Sequence, residues 1–375
     1  MEVEWLSLPH SLSTELMERA EEEASQISPL IEKLEESVNS ARRLISSLIE
    51  PLGEGREVRV GAVDGSRSPK LSERMGARYG LIAAGALIIE GKRRIDERYI
   101  AGQFKRKQAL SEEVSKYFFD LLSVYAERKI ALEILDYVDL LFIDGSFYSF
   151  IYPVLRMRKQ GLFGEREEEI FREVYEMTRK LSRSKKVIGV IKRSHTRAIG
   201  GFIALNSIEE LKDLIKVIDK LILSVIMPPK TVFRYERLIG DENVSVYTQA
   251  AHLASKGLSE GLMERAREKA YEPFKKLGLD LDEFKSMRRA QVKAHASTPV
   301  CELEHPSMDL EIGVDSFSDV TGLPIAIDLI DSSVSLSSKL TDEYVSEVEA
   351  RVLERLKDRE MVRWFFQFLN PQKIF

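Results

Sequence analysis

"DYVDLLFIDGSF", residues 136–147, contains an apolar run that ends in Asp-Gly-Ser. A short apolar run bounded by turn residues is typical of a buried strand in the centre of a parallel sheet. The stretch "EVRVGAVDGSR", residues 57–67, has the same form and also ends in Asp-Gly-Ser. The sequence therefore predicts that two carboxylates, Asp64 and Asp144, lie where two strands end.

The segments around these two strands predict the element order β-β-β-α-β-α-β. After 57–67, strands are expected at 78–91 and 92–102, a long helix at 111–135, helices at 148–160 and 165–184, and a strand at 185–194. Three antiparallel strands, followed by strands reached through helical crossovers, are the order of the ribonuclease H-like core. We therefore predict an α/β fold with a mixed sheet, three antiparallel strands then parallel strands, flanked by helices.

Three regions are predicted along the chain. Residues 1–55 form an N-terminal helical extension, because an amphipathic stripe runs through 11–50. Residues 56–340 form the sheet-containing domain, and 341–375 form a C-terminal helix and an unusually aromatic tail. That tail, "MVRWFFQFLNPQKIF", is expected to pack on the core or to dock onto a second subunit.

Composition limits the class of protein. The 375 residues are 44% hydrophobic and 31% charged, as in an ordinary globular protein, and the net charge is −5. One cysteine, Cys301, excludes internal disulfides and an all-cysteine zinc site. No signal peptide pattern opens the sequence and no apolar run approaches the roughly 20 residues of a membrane span, so we expect a cytoplasmic protein.

The two Asp-Gly-Ser motifs predict a metal site. Ligands in α/β sheets bind outside the carboxyl ends of strands. If the two strands are neighbours, Asp64 and Asp144 repel each other unless a cation lies between them. Carboxylate oxygens suit Mg²⁺ or Mn²⁺. The alternative is that each tripeptide is only a turn, because Asp and Gly favour turns for conformational reasons.

A third acid is expected from the helix between the two strands. Glu127 precedes Ile130, Ala131 and Ile134 by three, four and seven residues, so it projects from the apolar face that covers the sheet. Glu133 is rotated away from that face and is the weaker candidate.

These motifs resemble the NurA nuclease family. "AVDGSR", Glu127, "LLFIDGSF" and "VIGVIKRSH" at 187–195 carry the resemblance, which extends from about residue 56 to 335. It implies a ribonuclease H-like (Piwi-like) fold, Mn²⁺-dependent cleavage of single- and double-stranded DNA, and a homodimer that works with the HerA hexameric ATPase in processing DNA ends. It also implies that Asp64, Glu127 and Asp144 are metal ligands.

The closing motif of the family is altered in this chain. The family has Gly-Tyr-Pro and, a few residues later, Ala-His, whereas here the matching stretch is "GLPIAIDLID", 322–331. Leu323 stands in place of the Tyr and Asp331 in place of the His. Asp331 can still bind a metal, and Asp328 competes for that role, but Leu323 has no hydrogen-bonding group.

We predict a two-metal phosphodiesterase site. Asp64 would bridge two metals about 3.5–4 Å apart, with Asp144 and Glu127 on one and Asp331 on the other. Lys192, at the end of its strand, would contact the scissile phosphate. The residues predicted to bind DNA are Arg67, Lys105, Arg106, Lys107, Lys192, Arg193, Arg288 and Arg289.

Two other functions remain open from the sequence. Actin-like phosphotransferases also place Asp-Gly-Ser turns after strands, but they need a second glycine-rich loop late in the chain. A catalytically weak or inactive scaffold is the other alternative, because the family Tyr and His are both replaced. There is no G-x-x-x-x-G-K-[ST] motif, so a processive nuclease would need a separate motor.

Overall fold

The computed structural model describes residues 9–55, 58–74, 77–107, 112–305 and 312–355. Within this part of the chain, ten strands form one sheet: β1 (Ile49–Pro51), β2 (Arg59–Arg67), β3 (Ser72–Arg74), β4 (Ala77–Glu90), β5 (Arg93–Lys107), β6 (Leu140–Asp144), β7 (Val187–Ile191), β8 (Thr231–Arg234), β9 (Arg288–Lys293) and β10 (Cys301–His305). The helices are α1 (His10–Ser46), α2 (Glu112–Ile134), α3 (Ile151–Lys159), α4 (Glu165–Ser182), α5 (Ala198–Leu205), α6 (Asp219–Ile226), α7 (Glu236–Ile239), α8 (Val244–Ala254), α9 (Leu262–Leu277), α10 (Leu281–Ser286), α11 (Ile325–Val334) and α12 (Ser338–Arg355).

The strand order confirms the predicted fold class. Along the sheet the order is β1-β8-β9-β10-β7-β6-β2-β4-β3, and β5 pairs with β4. The pairs β2–β6 and β6–β7 are parallel, whereas β2–β4 and β4–β5 are antiparallel. The path β5-β4-β2-β6-β7 is thus the predicted core of three antiparallel and two parallel strands. The sheet extends further than predicted, because β10, β9, β8 and β1 continue it beyond β7.

Strand β6 is buried on both faces, which explains its apolar sequence. Leu141 and Ile143 pack in the cluster that contains Ile130 and Ile134 of α2, while Phe142 faces the cluster built by α11. All three β6 side chains are at most 1% exposed. A strand covered by a helix on each side needs apolar residues at successive positions rather than alternate ones. The two helices thereby bring their own polar residues to the end of β6.

The N-terminal region is one long helix followed by a strand. Helix α1 packs its second half, with Val38, Ala41 and Ile45 buried, while Leu12 and Leu16 near its start are exposed. The helical extension ends earlier than the predicted boundary at 55, because β1 pairs with β8 in the sheet. The aromatic tail, 361–375, lies outside the described residues. None of the helices in the described ranges is long and apolar enough to cross a bilayer.

Candidate active site

The site forms where the parallel pairing of β2 and β6 stops. The last paired residues are Val63 and Ile143, each followed by the Asp of an Asp-Gly-Ser motif. Asp144 ends β6 as predicted, but the prediction that Asp64 also ends its strand is wrong. Strand β2 continues to Arg67, because β4 remains beside it over this whole stretch. Past Val63 one edge of β2 has no strand partner from β6, and the acids of both motifs lie at this point.

The two glycines of the motifs have different roles. Gly145 has φ +76°, a conformation that side chains with a Cβ rarely adopt, so it allows the chain to turn after β6. Gly65 lies in an ordinary strand, but a Cβ at this position would be 2.3 Å from Oε1 of Glu127. Gly65 is therefore needed because the carboxylate from α2 lies directly against the β2 backbone.

Three carboxylates contact the ammonium of Lys192, and a fourth, that of Glu127, is close enough to interact with it electrostatically. Its Nζ lies 2.5 Å from Oδ2 of Asp64, 2.6 Å from Oδ1 of Asp331 and 3.5 Å from Oδ1 of Asp144. Glu127 lies at the inner wall, and its side chain is 12% exposed. These acids come from β2, α2, β6 and α11, so the structure brings together the predicted catalytic residues. The predicted Lys192 is at the centre of the group rather than at its rim.

The site holds more negative charge than its cations balance. Burial first, and then the charge of Asp144, raises the pKa of Asp64 to about 8. Burial raises the pKa of Glu127 to about 7 and also raises that of Asp144. Burial opposes ionisation of Lys192 as well, but the carboxylates of Asp144 and Asp64 outweigh it, and the pKa of Lys192 is raised. Raised pKa values at three neighbouring acids indicate that a further cation placed among them would favour their ionised forms.

Helix α11 settles which acid of the closing motif enters the site. Asp331 bonds Lys192, whereas Asp328 accepts a hydrogen bond from the hydroxyl of Thr321 and points into its own loop. Partial burial opposes ionisation of Asp331, but a hydrogen bond with Asp64 and then the ammonium of Lys192 together outweigh it, so the pKa of Asp331 is lowered. Leu323, in place of the family Tyr, packs on the apolar cluster beneath α11. It fills space there and supplies no polar group to the site.

The donor set fits a hard divalent cation. Aspartate and glutamate oxygens from four elements are the ligands that Mg²⁺ and Mn²⁺ prefer. Over the described ranges, no three His, Cys, Asp or Glu side chains already have the spacing of metal ligands. Three of the carboxylates contact the ammonium of Lys192 instead of a common point between them. Glu133, the weaker candidate, is exposed on the outer side of α2.

A second group of charged residues lies beneath the site and was missed from the sequence. Arg128 is completely buried, and its Nη2 donates to the carbonyl oxygen of Ser146 at 3.4 Å. Glu302 and Glu304 of β10 are 0% and 1% exposed and both bind Arg289. The buried acids could have been found from "VCELEHP", where two glutamates occupy alternate positions of a stretch that otherwise has the pattern of a buried strand.

The predicted DNA-binding residues are distributed over different surfaces. Arg193 is exposed beside the site, and Lys105 is exposed on β5. Arg67 pairs with Asp120 at 2.6 Å, and Arg288 lies 3.8 Å from Asp241. The side chains of Arg106 and Lys107 lie outside the described part of the chain. For Arg289 the geometry does not support DNA contact, because its guanidinium is bonded to two buried carboxylates.

A basic cluster next to the segment 192–198, which is called the Lys192 loop below, was also missed from the sequence. The backbone N–H of Arg197 donates to Thr248 of α8 at 3.3 Å. His252 lies one turn further along α8, and its pKa is lowered by burial and then by the charges of Lys256, Arg197 and Lys269. These cations come from three separate segments of sequence. No single basic run therefore indicated them.

Comparisons with known proteins identify the family and the fold. A model of the NurA domain matches residues 58–257. The crystal structure of the NurA nuclease from Sulfolobus solfataricus is similar, with a TM-score of 0.54 and 13% identity, over 90% of this chain and 98% of that chain. The crystal structure of NurA with manganese is similar with a TM-score of 0.54 and 12% identity, over 90% and 99% of the two chains. For NurA bound to dAMP and manganese the TM-score is 0.52 at 12% identity, over 92% and 98%.

These structural likenesses establish a shared fold at low identity. A search of curated proteins by sequence found no match. The domain model, however, spans more than half of the 375 residues and includes both Asp-Gly-Ser motifs, Glu127 and Lys192. The chain belongs to the NurA domain family.

Proposed function

We propose that the chain is a divalent-metal-dependent deoxyribonuclease that hydrolyses phosphodiester bonds at the ends of single- and double-stranded DNA. The observation that carries the proposal is the convergence of Asp64, Glu127, Asp144 and Asp331 around Lys192. Carboxylates gathered at the end of parallel strands are suited to metal-assisted attack on a phosphate. The family and the fold, shared with NurA crystal structures that contain manganese, support the same chemistry.

The chain's own residues have separate tasks in this reaction. The four carboxylates would hold Mn²⁺ or Mg²⁺, which when bound activates a water and offsets charge on the leaving oxygen. Lys192 contacts three of the carboxylates directly, and its ammonium would pair with a non-bridging oxygen of the phosphate. Asp64 is 1% exposed and the side chain of Glu127 is 12% exposed, so both carboxylates would approach the metal from the protein side.

DNA would reach the site along the basic surface beside the Lys192 loop. Arg193 is exposed directly after Lys192, and Arg197, four residues later, acts electrostatically on His252 together with Lys256. Contacts of this kind bind phosphates without reading sequence. The net charge of −5 confines the attraction to this local surface, so binding should weaken steeply as salt is added.

We further propose that the protein acts as a homodimer with a HerA-type hexameric ATPase in DNA end resection and repair in the cytoplasm. The support is the family resemblance together with the absence of a Walker A motif from the sequence. Both exonuclease and endonuclease activity follow from the same resemblance.

The test is cleavage of end-labelled DNA with Mn²⁺, Mg²⁺ or EDTA, comparing wild type with Asp64→Asn and Asp328→Asn. Asp64→Asn keeps the shape of a buried residue that contacts Lys192, and should abolish metal-dependent cleavage. Asp328→Asn is the matched control on α11, because Asp328 is bonded to Thr321 instead of Lys192. Equal cleavage by wild type and Asp64→Asn would reject the proposed site.

An inactive scaffold remains the second candidate, and one observation favours it. Leu323 is packed on apolar residues where the family has a Tyr. If folded wild type binds no Mn²⁺ and cuts no DNA, even with its ATPase present, the scaffold replaces the nuclease. Leu323→Tyr would then restore the family's polar group and test whether its loss is the cause of the missing activity.

A further inference from the structure

One buried carboxylate, that of Glu304, accepts hydrogen bonds from the turn that follows Asp144. Oε1 of Glu304 accepts hydrogen bonds from the hydroxyl of Ser146 and from the backbone N–H of Phe147, both at 2.8 Å. Ser146 is the serine of the second Asp-Gly-Ser motif, two residues after the predicted metal ligand. Glu304 therefore bonds the turn directly after Asp144, while Asp144 itself is paired with Val190 of β7.

The loop that follows Lys192 is held by a second buried carboxylate. Glu302 accepts hydrogen bonds from the hydroxyls of Ser194 and Thr196, the latter at 2.8 Å. Gln291 of β9 also donates to it, at 2.7 Å. Glu302 and Glu304 are two residues apart on β10, so both side chains lie on the same face of the sheet.

One guanidinium joins the two carboxylates. Arg289 lies directly opposite Glu304 in the β9–β10 register, and its Nε donates to Glu304 at 2.9 Å. Its Nη1 donates to Glu302, also at 2.9 Å, and to the hydroxyl of Thr196 at 3.0 Å. The planar fork of an arginine can hold two acceptors in fixed relative positions, which a lysine ammonium does not do.

We propose that Arg289 and the two carboxylates that it joins are positioning residues, which fix the distance between the Asp144 turn and the Lys192 loop. This inference rests on the proposed nuclease function for its catalytic meaning. A buried ion-pair network is weak evidence for added stability, because its desolvation cost is large. A network whose two carboxylates bond the turn after Asp144 and the loop after Lys192, and share one guanidinium, is, in contrast, well placed to set their spacing. Partners that orient metal ligands in this way affect metal affinity strongly.

The test measures backbone hydrogen–deuterium exchange and Mn²⁺ binding in Arg289→Lys, with cleavage kinetics beside them. Exchange should become about tenfold faster in both 144–150 and 192–198, because local opening of both loops becomes easier. Mn²⁺ affinity, measured from the electron paramagnetic resonance signal of free Mn²⁺, should fall about 10- to 100-fold. In cleavage assays kcat should fall while KM for DNA changes little, since the basic surface is untouched.

Two further variants keep the outcome decisive. Ser146→Ala leaves every buried charge in place and should speed hydrogen–deuterium exchange in 144–150 alone. It therefore tests the bond between Glu304 and this turn even if Arg289→Lys does not fold. Glu242→Gln is the matched control, because Glu242 bonds Tyr271 and Arg267 away from both loops. It should alter neither exchange in these segments nor Mn²⁺ affinity.

Distinct results reject the two proposals. Unchanged exchange in Arg289→Lys, or faster exchange in one loop only, would overturn the positioning role. A loss of stability in Arg289→Lys with Mn²⁺ affinity at the wild-type value would also overturn it, since the network would then be only structural. If wild type itself neither binds Mn²⁺ nor cleaves DNA, the nuclease proposal fails, and exchange alone decides whether Arg289 couples the loops.

Discussion

Replacing Gly65 by alanine tests the close approach of α2 to β2. The added Cβ would lie 2.3 Å from Oε1, 2.5 Å from Cγ and 2.8 Å from Cδ of Glu127. Normal contacts of such atoms are about 3.5 Å, so the carboxylate must move by roughly 1 Å. Overpacking of this kind lowers the free energy of unfolding by about 1–3 kcal/mol. Misplacing a catalytic group by about 1 Å costs about 100-fold in rate.

A double-mutant cycle gives the clearest assay. Urea unfolding would be measured for Gly65→Ala, Glu127→Ala and the double variant, with cleavage and Mn²⁺ binding measured for the single variants. The destabilisation by Gly65→Ala should nearly disappear once Glu127 is shortened, because the atoms that clash are gone. Gly102→Ala is the control, since a Cβ there meets no atom within 4 Å and its loss of unfolded-chain entropy favours folding slightly. Equal destabilisation by Gly65→Ala with and without the Glu127 carboxylate would refute the reasoning.

Three further outcomes are expected. Lys192→Met should bind Mn²⁺ at least about tenfold more tightly in calorimetry, because a positive charge a few ångströms away opposes binding of the ion by about 1–4 kcal/mol. The rate of DNA cleavage should nevertheless fall by about 100-fold or more. Weaker Mn²⁺ binding by the variant would contradict the placement of the Lys192 ammonium. Burial raises the pKa of Asp219 well above its ordinary 3.8, so the folded protein binds that proton more tightly than the unfolded chain and stability falls as pH rises above 3.8. Urea titrations at several pH values should therefore show that the free energy of unfolding falls less steeply with pH in Asp219→Asn than in wild type. The same pH dependence in both proteins would contradict the raised pKa of Asp219. Arg193→Ala should weaken binding of single-stranded DNA and reduce the salt-dependence slope by about one, whereas Lys276→Ala, which removes an exposed partner of Glu272, should leave that slope as in wild type.

Local sequence patterns were sufficient for the centre of the sheet and for two of the acids, Asp144 and Glu127. The apolar residues of β6 identify a strand covered on both faces, and Asp144 follows it directly. The spacing of Glu127 from the apolar residues of α2 places its carboxylate on the inner face of the helix. In these cases the residues that determine the structure are neighbours in the sequence.

The remaining features depend on contacts between distant segments. The stretch "AVDGSR" reads locally as the end of a strand, but pairing with β4 extends β2 to Arg67. The buried roles of Arg289 and Glu304 follow only once β9 and β10 are known to continue the sheet beside β7. Asp331 was identified by resemblance, because nothing in the periodicity of α11 distinguishes it from Asp328.

The contacts of Lys192 have a consequence for the order of folding and metal loading. A cluster of buried carboxylates without a counter-charge would repel itself and open the site before any metal arrived. The ammonium, 2.5 Å from Asp64 and 2.6 Å from Asp331, supplies that counter-charge from within the chain. We therefore expect that, unlike small zinc domains, whose folding depends on their ion, this protein completes its fold before it takes up the proposed metal. Chelation should therefore leave a folded chain that regains metal without refolding.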